Sequence, residues 1–433
     1  MKKRVVTIVL AGCLILSTVA CGAKESGKNK EGKVKIQFMH SMVEQERQEV
    51  VDELIEKFED ENAGIEVEQI PVNEDAYETK VTALGTSGEL PAVMELGQDF
   101  AKTNAKNEFI DFKSVKNVID KIGQESFYGK VLDIVKTEDG ENYTGVPVSG
   151  WVQGIFYNKK MLQEKGFEAP ENWEDIRKIA EAFCDKDNRK YGIAIPTVDG
   201  VFSEQVFSQF ALSNDANVFD ADGNVVFDTP EMTEAFEYYK MLSEYTMPGS
   251  NDTTEVKDAF MNGSVPMALY STYLLPAIYE EGMTDQIGFA VPTNKSAATF
   301  GTVSVLSISA DLKDEEREAA EKFVTFMMED ENNIKWLHMS PGGLQPVLNS
   351  VAQSESYMDN EVIKSFEAIS QDISDAFNNL QIFGSVDGKN FLDMGDVTRK
   401  GVISKAINDI TVNGKDIAET IKNAQKEIEE IVE

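Results

Sequence analysis

The chain of 433 residues predicts an α/β fold with more than one domain. Three observations carry that: a strand, helix, strand order near the start, a second such series after residue 146, and a length suited to two or three domains. "VKIQFM" (Val34 to Met39) alternates apolar Val34, Ile36 and Phe38, as a half-buried strand does. Val50, Val51, Leu54, Ile55 and Phe58 then recur at helical spacing, with Gly64 placed for a C-cap. "IEVEQIPV" is the next strand, followed by a helix through Ala76 to Leu84, a turn at "TSGELP" and a strand "AVMEL" (Ala92 to Leu96). The second series follows "YTGVPV". "GIFYN" (Gly154 to Asn158) reads as a strand, and Asn158 caps the helix "KKMLQEKG". In "NWEDIRKIAEAF" Asn172 is the N-cap with Asp175 three residues on, and Trp173, Ile176, Ile179, Ala180 and Phe183 form the buried stripe. "VFDADGNVVFD" signals a hairpin about Asp222-Gly223, and it lacks the spacing and terminal Glu of a calcium loop. Ile417, Ile421, Ala424, Ile428 and Ile431 stripe a last helix, expected on the outside of a sheet.

The N-terminus reads as an export signal. Lys2, Lys3 and Arg4 precede an apolar Val5 to Val19, too short to span a bilayer, and the composition then flips to the polar "AKESGKNKEGK". Small residues before a cysteine are similar to a bacterial lipoprotein processing site. "LAGC" ending at Cys13 leaves too short an apolar core, so "TVAC" ending at Cys21 is the expected site. Residues 1–20 are then the signal peptide and 21–33 a lipidated tether, with acyl chains such as palmitate on Cys21 anchoring the protein. Cys184, the one remaining cysteine, reads as a core residue, and no disulfide framework exists. A net charge of −35 works against nucleic-acid and anionic-membrane binding. His40 and His338 sit in no metal-ligand spacing, and no nucleophile elbow, phosphate loop or zinc helix occurs. No metal or cofactor is expected. An enzyme with a pair of carboxylates is the rival class, which the 76 acidic residues leave open. A surface adhesin is a third.

"LIEKFEDENAGIEVEQI", "TSGELPAVMEL", "GVPVSGWVQGIFYNKKMLQEKGFEAPENWEDI", "DAFMNGSVPMALYSTY", "IGFAVPT" and "FGTVSVLSIS" follow one another in the chain. In that order they resemble the extracellular solute-binding proteins of ATP-binding-cassette importers, the branch that includes the maltose-binding protein and many sugar-binding lipoproteins. The resemblance runs from Val34 to the C-terminus. It implies a two-lobed, periplasmic-binding-protein-like fold with hinged lobes and a ligand cleft between them. Lobe one would hold residues 34–146 and 299–345, and lobe two residues 147–298 and 346–433. It also implies a monomer on the outer face of the cell membrane, no catalysis, a carbohydrate ligand, and permease subunits driven by a cytoplasmic ATPase as partners. Two departures stand out: Pro91-Ala92 where the family has Pro-Asp, and Ser271-Thr272-Tyr273 where it has Gly-x-Trp.

A sugar offers apolar ring faces and a rim of hydroxyls, so its site needs aromatic platforms beside planar polar groups. Tyr273 takes the position of the family's stacking Trp, and Tyr270 lies three residues earlier, beyond the strand "VPMAL", with packing inside lobe two as its alternative. Trp151, amid Gly and Ser in the crossing segment, matches a ligand contact of the maltose-binding protein. Asp99, beside Gln98, matches a carboxylate that accepts sugar hydroxyls, with a solvated loop acid as the alternative. His40 and Ser41 end the first strand and would face the cleft, while Phe202 and Gly301 are carried by position. Trp336 shares a helical stripe with Phe323 and Met327 and reads as core. A cationic solute such as a polyamine is the alternative ligand, given the acidic balance and the aromatic inventory.

Overall fold

The computed structural model describes residues 32–128, 130–386 and 388–433. The signal peptide and the choice between Cys13 and Cys21 lie outside the described residues. Seven strands are present among them: β1 (Val34–His40), β2 (Ile65–Pro71), β3 (Val93–Gly97), β4 (Val146–Asn158), β5 (Met267–Ser271), β6 (Ile287–Ala290) and β7 (Gly301–Ile308). Their order is β2-β1-β3-β7-β4-β5, with β6 also on β4. β1 pairs with β2 and β3 in parallel, which the intervening helices Gln45–Glu61 and Glu74–Ser87 make sterically feasible. β7 returns antiparallel beside β3.

β4 organises the molecule. Its residues Val146–Val152 pair with β7, and its residues Gln153–Asn158 pair with β5 and β6. One strand of 13 residues thus leaves the first sheet and enters the second, and two lobes grow around its ends. The "GIFYN" strand is only the last part of it. Glycines at 150 and 154 weaken the strand signal, but they are there for close approach. A Cβ at Gly150 would lie 2.9 Å from the Phe377 ring, and one at Gly154 2.4 Å from that of Phe289. Around the first sheet Phe323 meets Phe38 and Phe58 edge to face and Trp336 packs tilted on Phe38, so Trp336 is core as read. Around the second, Tyr239 meets Phe207 and Phe210 edge to face, and Phe236 packs tilted on Phe207.

Local chemistry mostly follows the residues. Asn158 and Asn172 cap their helices by accepting from the N–H of Met161 and Asp175, each at 3.0 Å. Three readings need correction, and the hairpin holds in shortened form. The helix Gln45–Glu61 stops at Asn62, whose amide donates to the Phe58 carbonyl at 2.9 Å, so Gly64 lies beyond the cap. The 220s hairpin is present in short form: Phe219 and Val225 bridge antiparallel, and the Asp220 carboxylate takes the N–H groups of Asp222 and Asn224 at 2.9 Å in the turn. Cys184 is half-buried at the end of the helix Trp173–Phe183, outside the core. The last helix, Ile417–Val432, buries Ile421, Ala424 and Ile428 chiefly against the helices Phe391–Lys400, Val402–Thr411 and Pro230–Ser243, which stand where a sheet face was expected.

Candidate functional site

Three chain segments meet where β4 changes sheets. Gly150 and Gln345 exchange main-chain hydrogen bonds at 3.0 and 2.8 Å, and the Gln153 N–H donates to the Phe300 carbonyl at 2.8 Å. Strand alternation gives this crossing two faces. Trp151 projects from one of them, with the Phe300 ring 5.8 Å and the Tyr273 ring 6.3 Å away, the latter edge-on. Tyr273 is 45% exposed, and among the described residues it is the one aromatic in the set of exposed large hydrophobics. Its placement is built. β5 ends at Ser271, the chain tightens through Thr272–Leu274, and the Thr272 hydroxyl donates to the Gly343 carbonyl at 3.0 Å. Gly343 leaves the room: a Cβ there would lie 2.9 Å from the Tyr273 ring. Partial burial pushes the Tyr273 hydroxyl up to about 12, against the field of Arg47 and with those of Glu95 and Glu74.

Glu95, near the end of β3, is a residue the sequence reading passed over. Its buried carboxylate accepts from the Ser41 hydroxyl at 3.0 Å and the Ser41 N–H at 3.3 Å, and burial pushes its pKa above the ordinary range. The signal was available, since "AVMELG" carries one acid in an otherwise apolar strand. Phe300 was also missed, because it precedes β7 with nothing local to mark it. Ser41 is thus tied to the end of β3 through Glu95.

Phe202 and Tyr270 form a second aromatic pair, 5.7 Å apart and edge-on, both half-buried. Phe202 opens the helix Val201–Ser213, and in that helix Gln205 and Gln209 hold both ends of the buried Gln153 amide at 3.0 and 2.9 Å. Next along the helix Glu204 is buried, accepts from the Thr398 hydroxyl and leaves its other oxygen without a partner. Burial lifts its pKa to about 7.

Three candidates are used inside the fold. His40 is fully buried: its Nδ1 accepts from the Met42 N–H at 3.2 Å, so its Nε2 donates to Gln69 at 3.0 Å and neither nitrogen is left for a ligand. Burial holds its imidazole down at about 4. It ends β1 with its ring 5.1 Å from that of Phe38, turned into the core. Gln98 is buried and accepts from the Val303 N–H at 2.9 Å, tying the helix Gln98–Lys106 to β7. Gly301 has no free surface to offer: a Cβ would lie 2.5 Å from Leu380 and 2.6 Å from the Trp151 carbonyl. Asp99 stands exposed in the first turn of the Gln98–Lys106 helix.

An open sheet shared between two lobes, with Trp151 half-buried and Tyr273 exposed at the crossing, is the architecture of the bacterial extracellular solute-binding class. The sequence pattern of that family, described as bacterial extracellular solute-binding protein, matches residues 53–364, and the chain belongs to it. A relative in Escherichia coli (strain K12), YcjN, named as a candidate ABC transporter periplasmic-binding protein, is 50% identical over 98% of both chains. The multiple sugar-binding protein of Streptococcus mutans is 24% identical over 75% of this chain and 78% of its own. The sugar-binding protein MalE of Xanthomonas citri superposes with a TM-score of 0.76 at 18% identity, over 92% of this chain and 97% of that one, which shows the shared fold. The protein is thus the solute-binding part of an ABC transporter, binds a small molecule, works with permease subunits and is not an enzyme. No helix among the described residues is long and apolar enough to cross a membrane.

Proposed function

We propose that the protein captures a sugar or oligosaccharide and delivers it to the permease, moored to the cell by lipid on Cys21. The supporting observation is the exposed Tyr273 set edge-on to Trp151, together with the hydrogen-bonded Ser41–Glu95 pair at the ends of β1 and β3. Flat aromatic surfaces cover the C–H faces of a sugar at small entropic cost, since each has few rotors to freeze, and the polar rim takes its hydroxyls. Phe202, Tyr270 and Asp99 extend the ligand surface in this reading. The names of the sugar-binding relatives agree with it. Lobes of residues 34–146 with 299–345, and 147–298 with 346–433, close about the crossing, and the protein acts as a monomer.

The three tryptophans make a direct test. Trp336 and Trp173 are buried, so Trp151 reports on ligand. Titration with a panel of mono- and oligosaccharides is expected to give a saturable fluorescence change with one sugar class and no consumption of it, and Trp151→Phe is expected to abolish it. A response to spermidine with none to any sugar would replace the carbohydrate by a cationic solute. Cys21→Ser is expected to move the protein from the detergent phase to the aqueous phase.

A further inference from the structure

Leu380 packs on the Gly301 face of the crossing, opposite to Trp151, and it also lines a pocket of about 460 Å³. The walls come from both lobes: Lys102, Lys130 and Lys136 from the chain between β3 and β4, and Asn217, Gln381 and Ser385 from the other side. The whole chain has 76 acidic and 41 basic residues, yet among the described residues that line this pocket three are lysines and one, Asp133, is an acid. Asp133 is already committed to Lys136, at 2.6 Å.

Lys102 is the informative residue. It is 4% exposed, and its ammonium lies 4.3 Å from the centre of the Phe391 ring. Among the described residues no acceptor or acid lies within hydrogen-bond or ion-pair distance of it. A buried ammonium without a counter-charge is costly, and a ring face compensates it only in part. Desolvation accordingly lowers its pKa to about 8, against the fields of Asp99 on its own helix and of Glu138. Other donors point the same way. The Asn217 Oδ1 accepts from the N–H groups of Val218 and Gly384 at 2.8 and 2.7 Å, so the amide NH₂ is its free end. An unpaired buried cation, a second lysine and amide donors around one cavity are complementary to an oxyanion.

We propose that this pocket binds a small anionic solute, a carboxylate or an inorganic or ester oxyanion, with its charge on Lys102 and with Lys130, the Asn217 amide and Ser385 as further donors. The site is separate from the aromatic face, and its anion does not depend on what that face binds. Because its walls come from both lobes, an occupant also ties them together.

The test is calorimetric titration of the full chain in detergent with sodium sulfate, sodium phosphate, D-glucuronate and D-glucose at constant ionic strength. Saturable binding of the anions and none of glucose at this site is expected. Lys102→Met is expected to weaken it at least about tenfold, as loss of a charge-assisted hydrogen bond does, while leaving the Trp151 fluorescence response unchanged. Binding is also expected to weaken as pH rises from 7 to 9, with proton uptake near pH 8 in the wild type and none in Lys102→Met. Sulfate and phosphate outcompeting glucuronate identifies a free oxyanion, and the reverse identifies an acidic sugar; both support the site. Lys130→Gln, on an exposed side chain, serves as a second variant, with a smaller loss expected. No saturable anion binding, or binding that Lys102→Met and Lys130→Gln leave intact, overturns the proposal. A failed sugar response with intact anion binding counts against the aromatic face alone.

Discussion

The two faces of the β4–β7 crossing are made by the same strands and differ in what they tolerate. On one, Trp151, Phe300 and Tyr273 stand apart at ring distances of 5.8 to 6.3 Å, with Tyr273 open to water. On the other, Gly150 and Gly301 let Phe377 and Leu380 press against the backbone, where an added methyl has no room. Side-chain area that folding leaves unburied is available to a ligand, whereas contacts made through glycine are spent on the fold. Substitution on the first face should therefore appear in binding, and on the second in stability.

The largest effect expected is on the open face. Trp151→Ala with Tyr273→Ala should weaken sugar binding by about 3 kcal/mol or more, roughly a hundredfold, the range of aromatic hot spots, with little change in thermal midpoint. A binding loss accompanied by an equal fall in stability would break the distinction. On the packed face, Gly301→Val should cost about 1–3 kcal/mol in denaturant unfolding, the range for overpacking, because one clashing atom is the Trp151 backbone carbonyl. The folded fraction should bind sugar normally.

A pH series sharpens the contrast between buried groups of the two lobes. His40 sits at about 4 in the fold and near 6.5 unfolded, so its contribution is complete above pH 6.5 and is lost as pH falls toward 4. About 2–3 kcal/mol should disappear over that window, and His40→Gln should flatten it. Glu204 has the opposite sign. Its folded value of about 7 lies above the ordinary 4.5, so ionising it costs stability that builds as pH rises from 4.5 to 7. Glu204→Gln should therefore stabilise by about 2–3 kcal/mol at pH 7.5 and by almost nothing at pH 4.5. Equal effects at both pH values would show that packing and not charge is responsible. The smallest effect belongs to the cap at the end of β4: Asn158→Ala should cost about 1 kcal/mol, read by chemical denaturation.

Much of the fold was legible because its signals are local. The alternation in Val34–Met39, the stripe of Leu54, Ile55 and Phe58, and the Asn158 and Asn172 caps depend on residues within a turn or two of each other. The site was legible only in part. Trp151 and Tyr273 draw notice as aromatics in segments rich in small or polar residues. Nothing near His40 announces that Gln69, 29 positions away, occupies its ring, and nothing near Gln98 shows that Val303 takes its carbonyl. Glu95 could have been found as a lone acid in a buried strand, but its link to Ser41 spans 54 residues.

By itself the sequence determined the α/β class, the parallel opening units, most helix starts and the short supply of cysteine. Those follow from hydrophobic period, capping chemistry and composition, which act over a few residues. The tertiary structure decided that β4 would run unbroken through two sheets, which polar side chains would be consumed internally, and that three lysines of an acidic chain would share one cavity. Those outcomes rest on contacts between distant segments, where burial and the competition for hydrogen-bond partners are settled only once the chain has packed.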